Sequence, residues 1–479
     1  MQLLLNNKRW FWLLTLLYIS VNVFLLANNI YYGLFVPVAV AIILLGIYRF
    51  DWLIMLTAML TPLSFRFNDI GFGIGLDMPS DLLILLLGGI VIFKFFADGH
   101  VDMKIMKHPI TLAIFINLSW ILFTSITSSM PLVSVKYFVS RFLYIIVFYF
   151  ALAHVFKNLD KIKLYFWVYI IPFAGVIIYT LIQHSEYNFD QRASYAMSQP
   201  FYINHGIYSI PIAFFVPFLI AVLANGHKLN YSIPFRTICF MLLGLFIVGL
   251  IYSYTRAAWI SLIVALGVAV ILYFRFRWYL YAAGILVVIM VGYFMQERFQ
   301  LMLKKNKQVS ADSFEKHVKS IYNISNDDSN LERINRWRSA LRMTADRPWV
   351  GFGAGTYKFQ YAPYQRAKEL TKISTNFGTV GNAHSEYFQP LAEIGIIGLL
   401  SFLYLLFVVW RTAVKLHYKS LDPKVRVLNM AALLGLTTYF VHGLLNNYSD
   451  QDKAAVLIWG FIAMVAALDI YHDKKTNLV

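Results

Sequence analysis

Residues 236–274 read RTICFMLLGLFIVGLIYSYTRAAWISLIVALGVAVILYF, with only Arg236 and Arg256 charged. A helix rises 1.5 Å per residue, so about 20 apolar residues cross a hydrocarbon layer roughly 30 Å thick. The stretch predicts two membrane spans, 236–254 and 257–274, joined at Ser253-Tyr-Thr-Arg256. Cys239 lies inside the first and reads as a small hydrophobe. As the single cysteine of the chain it excludes an internal disulfide framework, a Cys-rich zinc site and a redox pair.

Working outward, the same pattern recurs along all 479 residues. Further spans are expected at 10–27, 31–48, 51–66, 81–97, 109–128, 137–156, 162–182, 207–225, 278–295, 386–410, 427–445 and 454–471. The first follows Lys8 and Arg9 and reads as a span rather than a cleaved signal. Only 14% of residues are charged and 59% are apolar, where a soluble domain is about a quarter charged. Mean hydropathy is +0.63. These values exclude a soluble or disordered chain. They predict an all-α polytopic membrane protein with about 12–14 transmembrane helices. The expected organisation is helices over 1–295, one large helical loop over 296–385, and further helices over 386–479.

The net charge of +17, from 41 Lys and Arg against 24 Asp and Glu, is informative once sorted by side. With the N-terminus in the cytoplasm, inside segments hold 20 of the 41 cations and short outside segments hold 6. The remaining 15 lie in 296–385. Long loops are exempt from the positive-inside rule, so 20 against 6 sets the orientation: both termini cytoplasmic, the long loop outside. Charge scattered among spans gives no ground for a nucleic-acid partner.

Within the long loop, Ser329-Asn-Leu-Glu332 fits a capping box. Apolar Ile334, Trp337, Leu341 and Ala345 follow at helical spacing. A helix is predicted over 331–346, stopping near Asp346-Arg-Pro348. Gly351-Phe-Gly-Ala-Gly355 has no Lys-Ser/Thr and reads as a turn, not a phosphate loop.

Six features are weighed for chemistry. Arg256 sits at the outer membrane edge, where an unpaired arginine costs about several kcal/mol; it is a candidate anion ligand, against the plainer reading of a snorkelling anchor. Arg333, Arg336, Arg338 and Arg342 are all arginine, whose forked donors suit phosphate oxygens, although a charge run is usually a solvated face. His384 precedes an apolar run. At a helix N-terminus its neutral form is favoured, as a general base requires, against the default of an interfacial histidine. Gly395 and Gly398 return near the face of His384 and would admit another helix or a lipid chain. Asp450-Gln-Asp452 spells a D-x-D that holds a divalent metal in some glycosyltransferases, but the tripeptide is common by chance and no metal site is assigned to it. The aromatic loop 184–206 suits an interfacial belt, or sugar stacking.

Taken in order, three motifs resemble those of the O-antigen ligase family, whose superfamily also holds O-antigen polymerases and bacterial O-linked oligosaccharyltransferases. They are Thr255-Arg256-Ala257-Ala258-Trp259; Arg333-Ile-Asn-Arg-Trp337 followed by Asp346-Arg-Pro348-Trp-Val-Gly351-Phe-Gly353; and His384-Ser385 followed by Gly395-x-x-Gly398. The resemblance covers roughly 240–410 and implies a GT-C-like membrane glycosyltransferase of the bacterial inner membrane, with its active site on the periplasmic face. The implied donor is a glycan on undecaprenyl pyrophosphate. The implied acceptor is a hydroxyl of lipid A–core, with a second glycan or a protein as alternatives. By motif position, Arg256 and Arg333 become pyrophosphate ligands, Arg336 a weaker candidate, and His384 the base. No metal or other cofactor is implied. A flippase or transporter would instead place ionisable residues at mid-membrane depth along several spans.

Overall fold

In hydrocarbon every backbone N–H and C=O must find its partner within the segment, so apolar runs of this length fold as helices. A computed structural model describes residues 8–67, 75–99, 102–275, 328–371, 374 and 381–473. Among them ten helices are long and apolar enough to cross a membrane, and three shorter apolar helical runs cover Phe11–Ala27, Tyr32–Tyr48 and Phe50–Leu63. The protein is an all-α polytopic membrane protein. The expected span 278–295 lies outside the described residues.

The chain divides into two units, residues 1–56 and 57–479. The first holds α1 (Lys8–Ala27) and α2 (Val36–Tyr48) and enters α3 (Phe50–Leu60). Tyr18 donates its hydroxyl to the Gly33 carbonyl at 3.1 Å and ties α1 to the turn before α2.

The second unit opens with a two-stranded hairpin, β1 (Phe65–Phe67) and β2 (Leu76–Met78), in which Arg66 stands opposite Asp77. Then follow α4 (Ser80–Asp98), α5 (Pro109–Ile126), α6 (Pro131–Ile145, continued by a π turn to Val155), α7 (Leu159–Ser185), α8 (His205–Asn225), α9 (Ile233–Tyr252) and α10 (Arg256–Tyr273). The loop helix is α11 (Asp328–Asp346), and α12 (Phe388–Lys419), α13 (Pro423–His442) and α14 (Asp452–Ala467) complete the unit.

The core lies around α14. Every residue from Asp452 to Ala467 is buried, as suits a helix that is apolar on all sides. Tyr165 donates to the Val456 carbonyl at 2.6 Å, and Phe166 stacks on Phe218 with centroids 3.8 Å apart. Peripheral α9 and α10 expose Phe240, Met241, Ile263 and Leu266, faces suited to lipid. Because successive helices alternate in direction, the starts of α8, α10, α12 and α14 gather with the ends of α5, α9 and α13.

The loop helix corrects the sequence reading in two ways. It begins at Asp328, earlier than the expected cap. The Glu332 carboxylate binds Arg336, Thr371 and Ser374. Its buried face is also not the apolar one. Leu341 and Ala345 are exposed, while Glu332, Asn335, Arg336, Ser339, Ala340 and Met343 are buried. The buried polar groups bring their own partners. Glu332 pairs with Arg336 at 2.7 Å, and Asn335 donates to Gln365 at 3.0 Å.

Candidate active site

The site is built on a break in α12. At Gly395 the backbone turns to φ 72° and ψ −176°, outside helical geometry. A Cβ there would lie 2.2 Å from the Trp349 carbonyl oxygen, so only glycine fits both the conformation and the contact. The break frees backbone groups that the loop then satisfies. The Ala392 carbonyl accepts from Phe352 N–H at 3.2 Å and the Glu393 carbonyl from Gly353 N–H at 2.7 Å. Ile396 N–H donates to the Pro348 carbonyl at 2.8 Å, and the Trp120 indole to the Ile394 carbonyl at 2.8 Å. Gly353 has φ 112°, and a Cβ on it would overlap the Ser128 hydroxyl. The Gly351–Gly355 turn is therefore a fitted joint. What lies against Gly395 is the loop backbone of Trp349 and Val350. Gly398 is buried three residues on, and its carbonyl accepts from Ser401 at 2.7 Å.

This joint fixes the segment before α12. His384 has φ 49° and precedes Ser385, whose hydroxyl accepts from Tyr387 N–H at 3.2 Å and Phe388 N–H at 3.4 Å. Asn382 Oδ1 accepts from His384 N–H at 3.0 Å. The imidazole thus stands just outside the helix cap, half-buried. Burial, then the charges of Arg336 and Arg333, push it down to about 3, so it is neutral at physiological pH.

Glu386 anchors the other side. Its carboxylate accepts from Tyr448 N–H at 2.8 Å, Ser449 N–H at 2.8 Å, the Ser449 hydroxyl at 2.8 Å and the Tyr439 hydroxyl. It fastens the His384 segment to the loop between α13 and α14.

The four loop arginines divide. Arg336 is buried, donating to Glu332 at 2.7 Å and to the Asn382 carbonyl at 2.9 Å, with its guanidinium over the Tyr361 ring. It holds the strand that carries His384. Arg338 and Arg342 share Glu369 at 3.3 and 2.5 Å on another face. The charge of Arg333 acts on His384, His205, His442 and Tyr448. Trp337, one turn on, stacks on Phe388 with centroids 5.2 Å apart and keeps α11 at the start of α12.

Arg256 opens α10 and is half-buried. Thr255 donates its hydroxyl to the His205 carbonyl at 3.2 Å, tying the α9–α10 hinge to the start of α8. Arg333 and Arg336 both act electrostatically on His384. Arg256 follows Thr255, which binds the His205 carbonyl.

Asp450 and Asp452 part company. Asp450 pairs with Arg141 at 3.0 Å, and Asp452 turns to Ser80 and Lys453. Sequence reasoning gave no role to Arg141, Glu386 or His442, and read His205 only as part of the aromatic loop 184–206. Arg141 had a signal, as a cation inside the apolar run 137–156. With Glu386 and Glu393 it lines a cavity of about 20 Å³, room for about one water. The aromatic loop 184–206 packs inward in part: Tyr202 is fully buried, and Phe189 stacks on Tyr252 with centroids 4.1 Å apart.

Residues 240–403 match the family model described as O-antigen ligase, as the three motifs led one to expect. The match runs from α9 into α12 and includes Arg256, Arg333, His384 and Gly395. No curated protein matches the chain.

Proposed function

We propose that this chain, whose residues 240–403 match the O-antigen ligase family model, is a membrane glycosyltransferase of the ligase and polymerase kind that moves a glycan from undecaprenyl pyrophosphate to the hydroxyl of lipid A–core. The proposed setting is the periplasmic face of the bacterial inner membrane, with both termini in the cytoplasm. The observation that carries the reading is a neutral His384 beside a cationic Arg333, on a segment locked by the Gly353–Gly395 joint.

In the proposed reaction the acceptor oxygen attacks the anomeric carbon from the side opposite the diphosphate. Its proton passes to His384 as the new bond forms. The bond from the anomeric carbon to the diphosphate oxygen breaks, and its electron pair leaves with undecaprenyl pyrophosphate. A single displacement inverts that carbon. Negative charge grows on the leaving diphosphate, where Arg333 and Arg256 supply fixed positive charge. Arg336, committed to Glu332 and Asn382, acts as a positioning residue for the His384 strand. The arginines take the charge-stabilising role that a D-x-D metal takes elsewhere, and Asp450 and Asp452 already serve separate partners.

The test is reconstitution of the purified protein in vesicles with a labelled lipid-linked glycan and, separately, lipid A–core, a second glycan-lipid and an acceptor protein. Transfer to lipid A–core is expected. Transfer only to the glycan-lipid would make the protein a polymerase, and transfer only to protein an oligosaccharyltransferase. Label crossing the bilayer still lipid-linked would make it a transporter.

A further inference from the structure

His442 closes α13 and is 1% exposed. Neither of its ring nitrogens has a hydrogen-bond partner among the described residues. A neutral imidazole carries one N–H donor and one acceptor nitrogen, and native interiors rarely leave such groups unmet. The surroundings are otherwise well satisfied. Glu386 accepts from three different residues, and Tyr448 donates to Asn204 at 3.3 Å.

Arg333 and His205 both act on His442 electrostatically, and the Tyr448 ring lies edge-on at 6.4 Å. His205 is engaged with the Ser194 hydroxyl at 3.3 Å and with the Ser253 backbone. His442 is thus a buried polar group, unmet on both ring nitrogens among the described residues, that lies within the electrostatic reach of Arg333. A guanidinium and an imidazole N–H within electrostatic reach of each other are donors of the kind a phosphate oxygen accepts from.

We propose that His442 is a second histidine of the transfer site, a binding residue that donates its N–H to a diphosphate oxygen of the lipid-linked donor beside Arg333. This rests on the function proposed above and adds a residue that lies in none of the three motifs. No bond is made or broken at His442. Its contact is present before and during transfer, so its loss falls mainly on donor binding and KM, whereas loss of His384 falls on kcat.

The experiment measures binding of glycan-free undecaprenyl pyrophosphate to the purified full-length protein in nanodiscs, with thermal melting alongside. His442→Phe should weaken binding by about tenfold or more, the worth of one hydrogen bond to a charged group. It should melt no lower than wild type, because an apolar ring replaces two unmet nitrogens. His442→Gln, which keeps a donor and an acceptor, should bind within about threefold of wild type. KM for the glycan-lipid should rise in His442→Phe while kcat changes by less than about threefold. Wild-type binding in His442→Phe, or a protein that melts lower or fails to fold, would overturn the assignment, since a structural partner would then have held the ring. If wild type binds undecaprenyl pyrophosphate no better than undecaprenol, the proposed function falls and the His442 role with it. If wild type binds and His442→Phe binds equally, the His442 role alone falls.

Discussion

Two regions meet at the start of α12, and they are built in opposite ways. In the joint between the Gly351–Gly355 turn and the Gly395 break, the carbonyls of Ala392, Glu393 and Ile394 and the amide of Ile396 all find partners across the contact. At the end of α13, by contrast, His442 is buried with neither ring nitrogen met among the described residues. The difference teaches where to look for binding. A saturated contact between loop and helix holds a shape, and it can hold one because nothing is left to satisfy. An unsaturated buried recess is stable only as part of a larger assembly, with solvent or substrate completing it.

The comparison can be broken most forcefully at the joint. Gly395→Val adds a Cβ 2.2 Å from the Trp349 carbonyl in a left-handed conformation that β-branched residues avoid. Loss of about 3 kcal/mol or more is expected, read as failure to recover a monodisperse protein from membranes. Normal yield and melting would mean that the joint is slack. His384→Ala comes next and should leave melting unchanged while lowering single-turnover transfer by about 10²–10⁴-fold. A smaller loss than tenfold would remove the base from the account.

Sharper discrimination comes from the arginines. Arg333→Lys keeps the charge but loses the fork, and a drop in transfer of about tenfold is expected. Arg338→Lys, on the exposed side beside Glu369, should stay within about twofold. Equal effects would show that the two faces of α11 are not distinguished. The smallest expected effect is in the pH profile. Burial and the two arginines hold the folded His384 at about 3, below its ordinary value near 6.5. The base is then already neutral at pH 5, and transfer at saturating donor should be flat from pH 5 to 8. A rate that rises with pH through about 6.5 would show an imidazole with ordinary basicity.

Much of this was legible in the sequence, and the reasons separate cleanly. The spans were readable because hydrocarbon allows few alternatives to an apolar helix; 207–225, 236–254 and 257–274 each land on one. The three motifs were readable because each sits at a helix end where a charged or glycine residue interrupts an apolar run. What was hidden is pairing. That Gly353 and Gly395 are two halves of one joint depends on backbone contacts between positions far apart in the chain, which spacing does not encode. The buried face of α11 was hidden for a related reason. Glu332, Asn335 and Arg336 are polar and buried, and their partners at Gln365, Thr371 and Asn382 become visible only once the chain folds back. His442 was invisible because a histidine at the end of an apolar run carries no signal of whether its ring is met.

The central claim is that the glycan leaves a lipid diphosphate in a step that needs His384. The most direct measurement follows both products in vesicles holding purified protein, a doubly labelled glycan-lipid and lipid A–core. The account predicts release of undecaprenyl pyrophosphate in a one-to-one ratio with glycan joined to acceptor, and neither product from His384→Ala. Glycan transfer by His384→Ala at the wild-type rate, or no transfer by wild type with any hydroxyl acceptor, would contradict it.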